Sequence, residues 1–239
     1  MCDGFSSRTE EPVQDVADLA SQQAAQSARA VVEEAASTYE IDIVRELTNK
    51  PGAAAKFFVA ENLVENIIDR ECKLADLVIF GEAGDGAPPD WMARIERVLL
   101  GLRRPVLIAR GAVAANFGEK ILLAYNGSPE ATNALRAALP VLAAGGETEI
   151  LEVHESERSG GHAKEALGYL VRAGVNATAH DMRLARAHTG DEICARANSI
   201  WAGLIIIGGY GRSRLREFIL GGVTRFLVYH APVPVLLVH

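Results

Sequence analysis

The chain has 239 residues, of which 49% are hydrophobic and 23% charged, the composition of an ordinary globular protein with mass for one large core or two small ones. A net charge of -7 argues against a protein that grips duplex DNA or an anionic membrane through bulk electrostatics, since counterion release needs a basic surface. No apolar run approaches the roughly 20 residues that span a bilayer, and Cys2, Cys72 and Cys194 lack the number and spacing of a disulfide framework or a zinc site.

The N-terminal MCDGFSSRTEEPVQD has no basic stretch leading into an apolar one, so the expected location is the cytoplasm. An Ala-rich helix follows over about 13 to 36, then EIDIVREL as a strand over 41 to 47, and a helix over 53 to 73. LVIF is a buried strand that runs into GEAGDG, and RRPVLIAR at 103 to 110 closes this region as another strand. This part lacks a strand-helix-strand opening. The strand at 41 to 47 would then have no ladder to join to LVIFG, and residues 1 to 12 are too polar to supply one. The expectation is an upstream portion lost through truncation or start-site assignment.

GAVAANFGE at 111 to 119 is Gly- and Ala-rich without amphipathic period and reads as a linker over 111 to 118. KILLAY at 120 to 125 is a strand that stops at Asn126-Gly127. Ser128 then caps a helix with Pro129 at its first position, where a missing N–H costs nothing. Leu135, Leu139 and Leu142 share one face of this helix, Pro140 kinks it and Gly145-Gly146 ends it. The predicted order continues with a strand at 148 to 155, a helix at 162 to 173 and a strand at 175 to 184. Thr189 and Glu192 then form a capping box for a helix reaching Trp201. LIIIG, apolar throughout, is a strand covered on both faces. A helix near 221 to 230 and the strand VPVLLVH complete the chain.

The sequence repeats itself. LADLVIFGEAGDG at 74 to 86 is echoed by WAGLIIIGGYGRS at 201 to 213, and RRPVLIAR by APVPVLLVH, with a period near 130 residues. Two tandem α/β domains follow, 1 to 110 incomplete and 119 to 239 complete, each with a doubly wound parallel sheet built by right-handed crossovers.

At Gly208 a buried strand ends and GGYGRSRLREFILGGVT enters a helix, giving GxxG at Gly208 and Gly211, nine further residues, then Gly221-Gly222. Glycines let backbone approach phosphate oxygens, and a helix N-terminus presents free N–H groups with partial positive charge. In such sheets ligands sit beyond the strand C-termini, so Asn126 and this loop should flank one crevice.

These residues resemble the universal stress protein family, whose ATP-binding members carry a GxxG, nine residues and a final Gly followed by Ser, Thr or Asn. The resemblance covers 119 to 239, including NGSPEA, similar to the family's DGS segment, and the closing HAPVPVLLVH. It implies a Rossmann-like, adenine-nucleotide alpha hydrolase-like fold and adenine and ribose contacts at Ala124, Tyr125, Asn126 and Val153. Phosphate contacts are implied at Gly208, Tyr210, Gly211, Gly221, Gly222, Val223 and Thr224, with Ile207 a further residue of the nucleotide site. The implied ligand is ATP, or AMP or ADP, with or without Mg, and the implied role is a stress-response regulator. Two positions depart from the pattern: Asn126 replaces the usual acid, and Gly222 the usual hydroxyl or amide residue. Losing that side-chain contact costs on the order of 1 kcal/mol, a several-fold loss of affinity. Arg212, Arg214 and Arg216 are candidates to reach a phosphate, Arg being suited to bidentate contact.

In the first copy Gly81 and Gly84 keep the GxxG, but DGAPPDWMARIER lacks the second glycine pair, and Asp85 and Asp90 would repel phosphate; a structural half is expected there. No Walker-type lysine or catalytic base is legible, so at most slow ATP hydrolysis is expected. Glu152, His154, Glu155, His162, His180, Asp181 and His188 show no strong metal-ligand spacing. His230 reads as a helix C-terminal residue, and Ser128 lies in no GxSxG. Beyond an adenine nucleotide, the expected partners are an unidentified protein and a second domain or second copy, paired through PVLIA and PVLLV as a pseudo-dimer or homodimer; nucleic acid and membrane are not expected. The competing reading is a tandem scaffold that binds no nucleotide.

Overall fold

The computed structural model describes residues 11–46, 51–60, 63–84, 87–111, 116–154, 161–184, 188–209 and 222–239. The chain forms two compact units, divided between Asn62 and Leu63. In the first, helix α1 (Glu11–Thr38) precedes β1 (Asp42–Ile43), which pairs in parallel with β2 (Ala54–Ala55), Asp42 opposite Ala54. Two sequence expectations change here. The strand expected over 41 to 47 is short, and it pairs with β2 in a sheet of its own that does not include the LVIF strand. The helix expected over 53 to 73 starts only at Val64, forming α2 (Val64–Cys72). Phe57, Phe58 and Val59 explain the delay, because aromatic and β-branched side chains lose rotamer freedom in a helix.

The second unit is built on a seven-stranded sheet. Its elements are α2, β3 (Val78–Phe80), α3 (Trp91–Glu96), β4 (Val106–Ile108), β5 (Lys120–Ala124), α4 (Pro129–Ala137), α5 (Leu139–Ala144), β6 (Glu147–His154), α6 (His162–Arg172), β7 (Ala177–Arg183), α7 (Thr189–Ser199), β8 (Leu204–Gly208), α8 (Gly222–His230) and β9 (Val235–Val238). The strand order is β3-β4-β9-β8-β5-β6-β7. All neighbours are parallel except β4 and β9, which run antiparallel with Val106 opposite Leu237 and Ile108 opposite Val235. PVLIA and PVLLV therefore meet inside one chain and join strands of both sequence copies into one ladder. Compactness accordingly divides the chain after Asn62, and the stretch expected as a linker lies within the second unit.

Strand alternation sorts the apolar residues into two cores. Leu122, Leu151, Ile205, Ile207 and Leu237 face one cluster with Ile95, Ile193 and Leu227. Ile121, Leu123, Ile150, Leu204, Ile206 and Leu236 face the other with Leu135, Leu142 and Leu170. β8 is buried on both sides, which accounts for the unbroken apolar LIII. Each such Leu or Ile contributes about 1.5–3 kcal/mol relative to exposure.

Local signals behave as their chemistry dictates. The Ser128 hydroxyl accepts from the Ala131 N–H at 3.1 Å, capping α4. Pro140 falls in the first turn of α5, and the helix breaks at Ala138. The Thr189–Glu192 capping box does not form: α7 starts one residue earlier, with His188 as its N-cap and no side-chain cap bond. There Gly190 lies so close to Phe226 of α8 that a Cβ would stand 2.5 Å from the ring. A different acid does cap a helix. Glu152, 1% exposed, accepts from the N–H groups of Gly161 and Ala163 at the start of α6, at 3.1 and 2.9 Å. Glu149 on β6 takes a bidentate pair from Arg196 on α7 at 2.6 and 2.7 Å, which raises the Arg196 pKa. Cys72 and Cys194 are free thiols, and burial pushes both above the ordinary thiol range.

Candidate functional site

The strand order places β5 beside β8, with β6 and β7 beyond one and β9 beyond the other. This is the topological switch point, where connections leave to opposite faces and a crevice opens beyond the strand ends. A cavity of about 330 Å³ occupies that position, lined by thirteen residues from β5, α4, β6, α7, β8 and α8.

Each wall follows from local chemistry. β5 delivers Ala124, Tyr125 and Asn126. The Tyr125 N–H continues the ladder to the Leu151 carbonyl at 2.9 Å, and its hydroxyl lies 3.1 Å from the Thr132 hydroxyl on α4. Asn126 is exposed, and its side-chain oxygen accepts from the Ser128 N–H at 3.1 Å. One lone pair of the amide oxygen is thus committed to the turn, and the amide N–H donors are what Asn126 adds to the crevice. Gly127 has φ +72°, and a Cβ there would meet the His162 ring at 2.6 Å, so only glycine closes this turn.

Gly208 ends β8 against the N-terminus of α4. A Cβ on it would stand 2.4 Å from the Ala131 nitrogen and 2.5 Å from the Glu130 carbonyl carbon. The first glycine of the loop is therefore fixed by packing, and that packing brings the end of β8 and the start of α4 to the same rim. Gly209 returns to the sheet, its N–H donating to the Val238 carbonyl at 2.8 Å.

α8 supplies Gly222, Val223 and Thr224 from its N-terminal end as described, the end at which the macrodipole is positive. Its other end is held by the first sequence copy. Arg110 donates to the Leu227 and Val228 carbonyls, Glu82 pairs with it at 3.5 Å, and burial lowers its pKa. Trp91 lies 5.8 Å from Tyr229, centroid to centroid.

Of the twelve residues expected at the site, Ala124, Tyr125, Asn126, Val153, Ile207, Gly208, Gly222, Val223 and Thr224 line this one cavity. Tyr210, Gly211 and Gly221, with Arg212, Arg214 and Arg216, lie outside the described residues. Four lining residues escaped sequence reasoning: Ala131, Leu151, Thr189 and Ile193. Leu151 was recoverable as the residue two before Val153 on the same strand face. Thr189 and Ile193 are an i, i+4 pair on α7, but its capping-box reading sent the Thr189 side chain elsewhere. Among the described residues, no three His, Cys, Asp or Glu side chains gather to hold a metal ion, and no helix is long and apolar enough to cross a membrane.

The corresponding place in the first copy is a shallower crevice of about 490 Å³, lined by Phe80, Gly81, Gly84 and Trp91 among others. Here the Trp91 indole donates to the Gly81 carbonyl at 3.2 Å, and Asp90 is paired with Arg94 at 2.9 Å. A Cβ on Gly81 or Gly84 would meet nothing within 4 Å, in contrast to one on Gly208.

No curated protein matches the chain in sequence. Among solved structures, a universal stress protein from Archaeoglobus fulgidus is similar with a TM-score of 0.60 and 24% identity, over 78% of this chain and 68% of that one. A functionally unknown protein from Pseudomonas aeruginosa is similar with a TM-score of 0.58 and 17% identity, over 98% and 79%. At these identities the likeness is one of fold. The model of the universal stress protein family matches residues 118–239, the stretch that builds both rims of the cavity at the ends of β5 and β8, and on that match the chain belongs to the universal stress protein family.

Proposed function

We propose that the cavity at the ends of β5 and β8 binds one adenine nucleotide, ATP or its AMP or ADP relatives with or without Mg, and that the chain acts in the cytoplasm as a stress-response regulator through that occupancy. The observation that carries this reading is convergence: nine residues from four separate sequence segments line a single cavity, three of them at the N-terminal end of α8. Ala124, Leu151, Val153, Ile193 and Ile207 offer an apolar slot of the kind a purine fills. Asn126 and Thr189 offer hydrogen bonds at its rim. The first-turn N–H groups of α8 and the Thr224 hydroxyl offer an anion site, with the loop from Tyr210 to Gly221 alongside it in sequence.

The chemistry supported is binding. Among the described residues no lysine or carboxylate lines the cavity to transfer a proton or hold a metal, and at most slow hydrolysis is proposed for it. Equilibrium binding of labelled ATP to the wild type and to Gly211→Asp tests the proposal. Saturable binding that the substitution removes is expected; absence of binding to the wild type rejects it.

A second reading, a scaffold that binds no nucleotide, draws support from one observation: β4 and β9 already join the two sequence copies edge to edge. The same titration separates the readings, since a scaffold would show no saturation.

A further inference from the structure

The two edges of the seven-stranded sheet differ in chemistry. β7 exposes Thr178, Asp181 and Arg183, polar residues of the kind that keep an edge from pairing. β3 does the opposite: Ile79 is 61% exposed, and Leu77, just before the strand, 40%. In the ladder with β4, the Val78 N–H donates to the Pro105 carbonyl, and the Phe80 carbonyl accepts from the Ala109 N–H. Ile79, between them, turns its own N–H and C=O to the open side. Among the described residues no strand pairs there.

The internal duplication shows what such an edge takes. LADLVIFG aligns with WAGLIIIG, so that Leu77, Val78, Ile79 and Phe80 stand where Leu204, Ile205, Ile206 and Ile207 stand in the second copy. The ladders agree atom for atom on one side. Ile205 donates to the Pro234 carbonyl as Val78 does to Pro105, and Ile205 faces Val235 as Val78 faces Val106. On the other side β8 is covered by β5 in parallel, with Leu123 opposite Ile206, and Ile206 is fully buried. The end of β5 also forms one wall of the cavity beside Gly208, through Ala124, Tyr125 and Asn126. The crevice beside Gly81 has no wall of that kind among its lining residues.

We propose that the open edge of β3 is an acceptor for a parallel strand supplied by another polypeptide segment: short, apolar on both faces like Ile121 to Ala124, and followed by a polar turn. Such a strand continues the ladder through Ile79, covers Leu77 and Ile79, and adds the missing wall to the crevice beside Trp91. The site is incomplete without it.

A fluorescein-labelled peptide with the sequence of residues 118–128 is the probe, with a scrambled peptide of the same composition as control. Saturable anisotropy is expected with the wild-type chain, at least tenfold weaker with the scrambled peptide, together with a change in Trp91 emission measured in a Trp201→Phe background. Ile79→Pro removes the outward N–H while leaving both β4 bonds intact, a tolerated change at an edge, and is expected to lower affinity at least tenfold with unfolding still cooperative. Ile79→Lys, a charged edge, should do the same and stands in if the proline variant does not fold. Equal binding of native and scrambled peptides overturns the proposal, as does unchanged binding to a folded Ile79 variant. A wild-type dimer that Ile79→Lys converts to monomer in sedimentation would make a second copy the occupant and overturn it too.

Discussion

Gly222 separates the two things an α-helix N-terminus can do. It is the first residue of α8, exposed, with open space around the position of a Cβ and a φ outside the left-handed region. Gly222→Asp should therefore be accepted, and it improves the isolated helix. Aspartate in the first turn interacts with the macrodipole to the extent of about 0.3–1 kcal/mol, and leaving glycine adds a few tenths. Thermal unfolding should rise by roughly 1–4 °C for a unit of this size. Nucleotide binding should move the other way. A carboxylate about 5 Å from a phosphate oxygen, at an effective dielectric constant near 20, is repelled by ~3 kcal/mol per unit charge, on the order of a hundredfold in affinity. Gly222→Lys reverses both signs, binding ATP at least as well as wild type while lowering the melting temperature. The assay pairs thermal unfolding with fluorescence titration of an ATP analogue, each at low and high salt, since the repulsion at this exposed site weakens with ionic strength. An Asp variant that binds like wild type, or a pair of variants whose stability and affinity move in the same direction, would show that the phosphates do not rest on α8.

Other substitutions probe separate links. Gly222→Ser restores the hydroxyl that the family pattern places there and should tighten nucleotide binding several-fold, about 1 kcal/mol; isothermal titration reads it directly. Asn126→Asp keeps the turn to the Ser128 N–H and returns the family's acid, so affinity should rise at neutral pH and the gain should disappear as that carboxyl protonates. Gly208→Ala drives a methyl into the backbone of Ala131, an overpacking cost of ~2 kcal/mol or more visible in urea unfolding; a neutral result would mean that β8 and α4 are not in contact. Because burial raises the Cys72 and Cys194 thiols, a Cys2→Ser chain should react slowly with a thiol reagent at pH 8, the rate midpoint lying above that of a free cysteine until denaturant is added.

What was legible in the sequence follows the range of the forces involved. The ends of β5 and β8, the Ser128 cap, the break near Pro140 and the buried LIII are set by residues a few positions apart, and they stand in the structure where the pattern puts them. That Ala124, Tyr125, Asn126, Ile207 and Gly208 meet at one cavity was legible because they sit at strand ends, which are marked by turn chemistry at Asn126-Gly127 and Gly208. Thr189 was misplaced because its capping-box spacing is a local signal, and the packing of Gly190 on Phe226 lies 36 residues away in sequence. The same holds for β4 and β9: the two matching PVL segments suggested a pairing, but only the register of Leu107 on Leu236 shows it joining the copies within one chain. Around Phe57 and Phe58 the apolar residues fit either period, and there the helix was extended too far toward the N-terminus.

One adenine nucleotide per chain, in the crevice of the second copy, is the proposed occupancy. Calorimetric titration of the whole chain with ATP addresses it most directly. Saturable heat with one site per chain is expected, removed by Gly222→Asp. Two equal sites would return the crevice beside Trp91 to nucleotide binding, and the absence of any saturable heat would leave the cavity at Gly208 without its ligand.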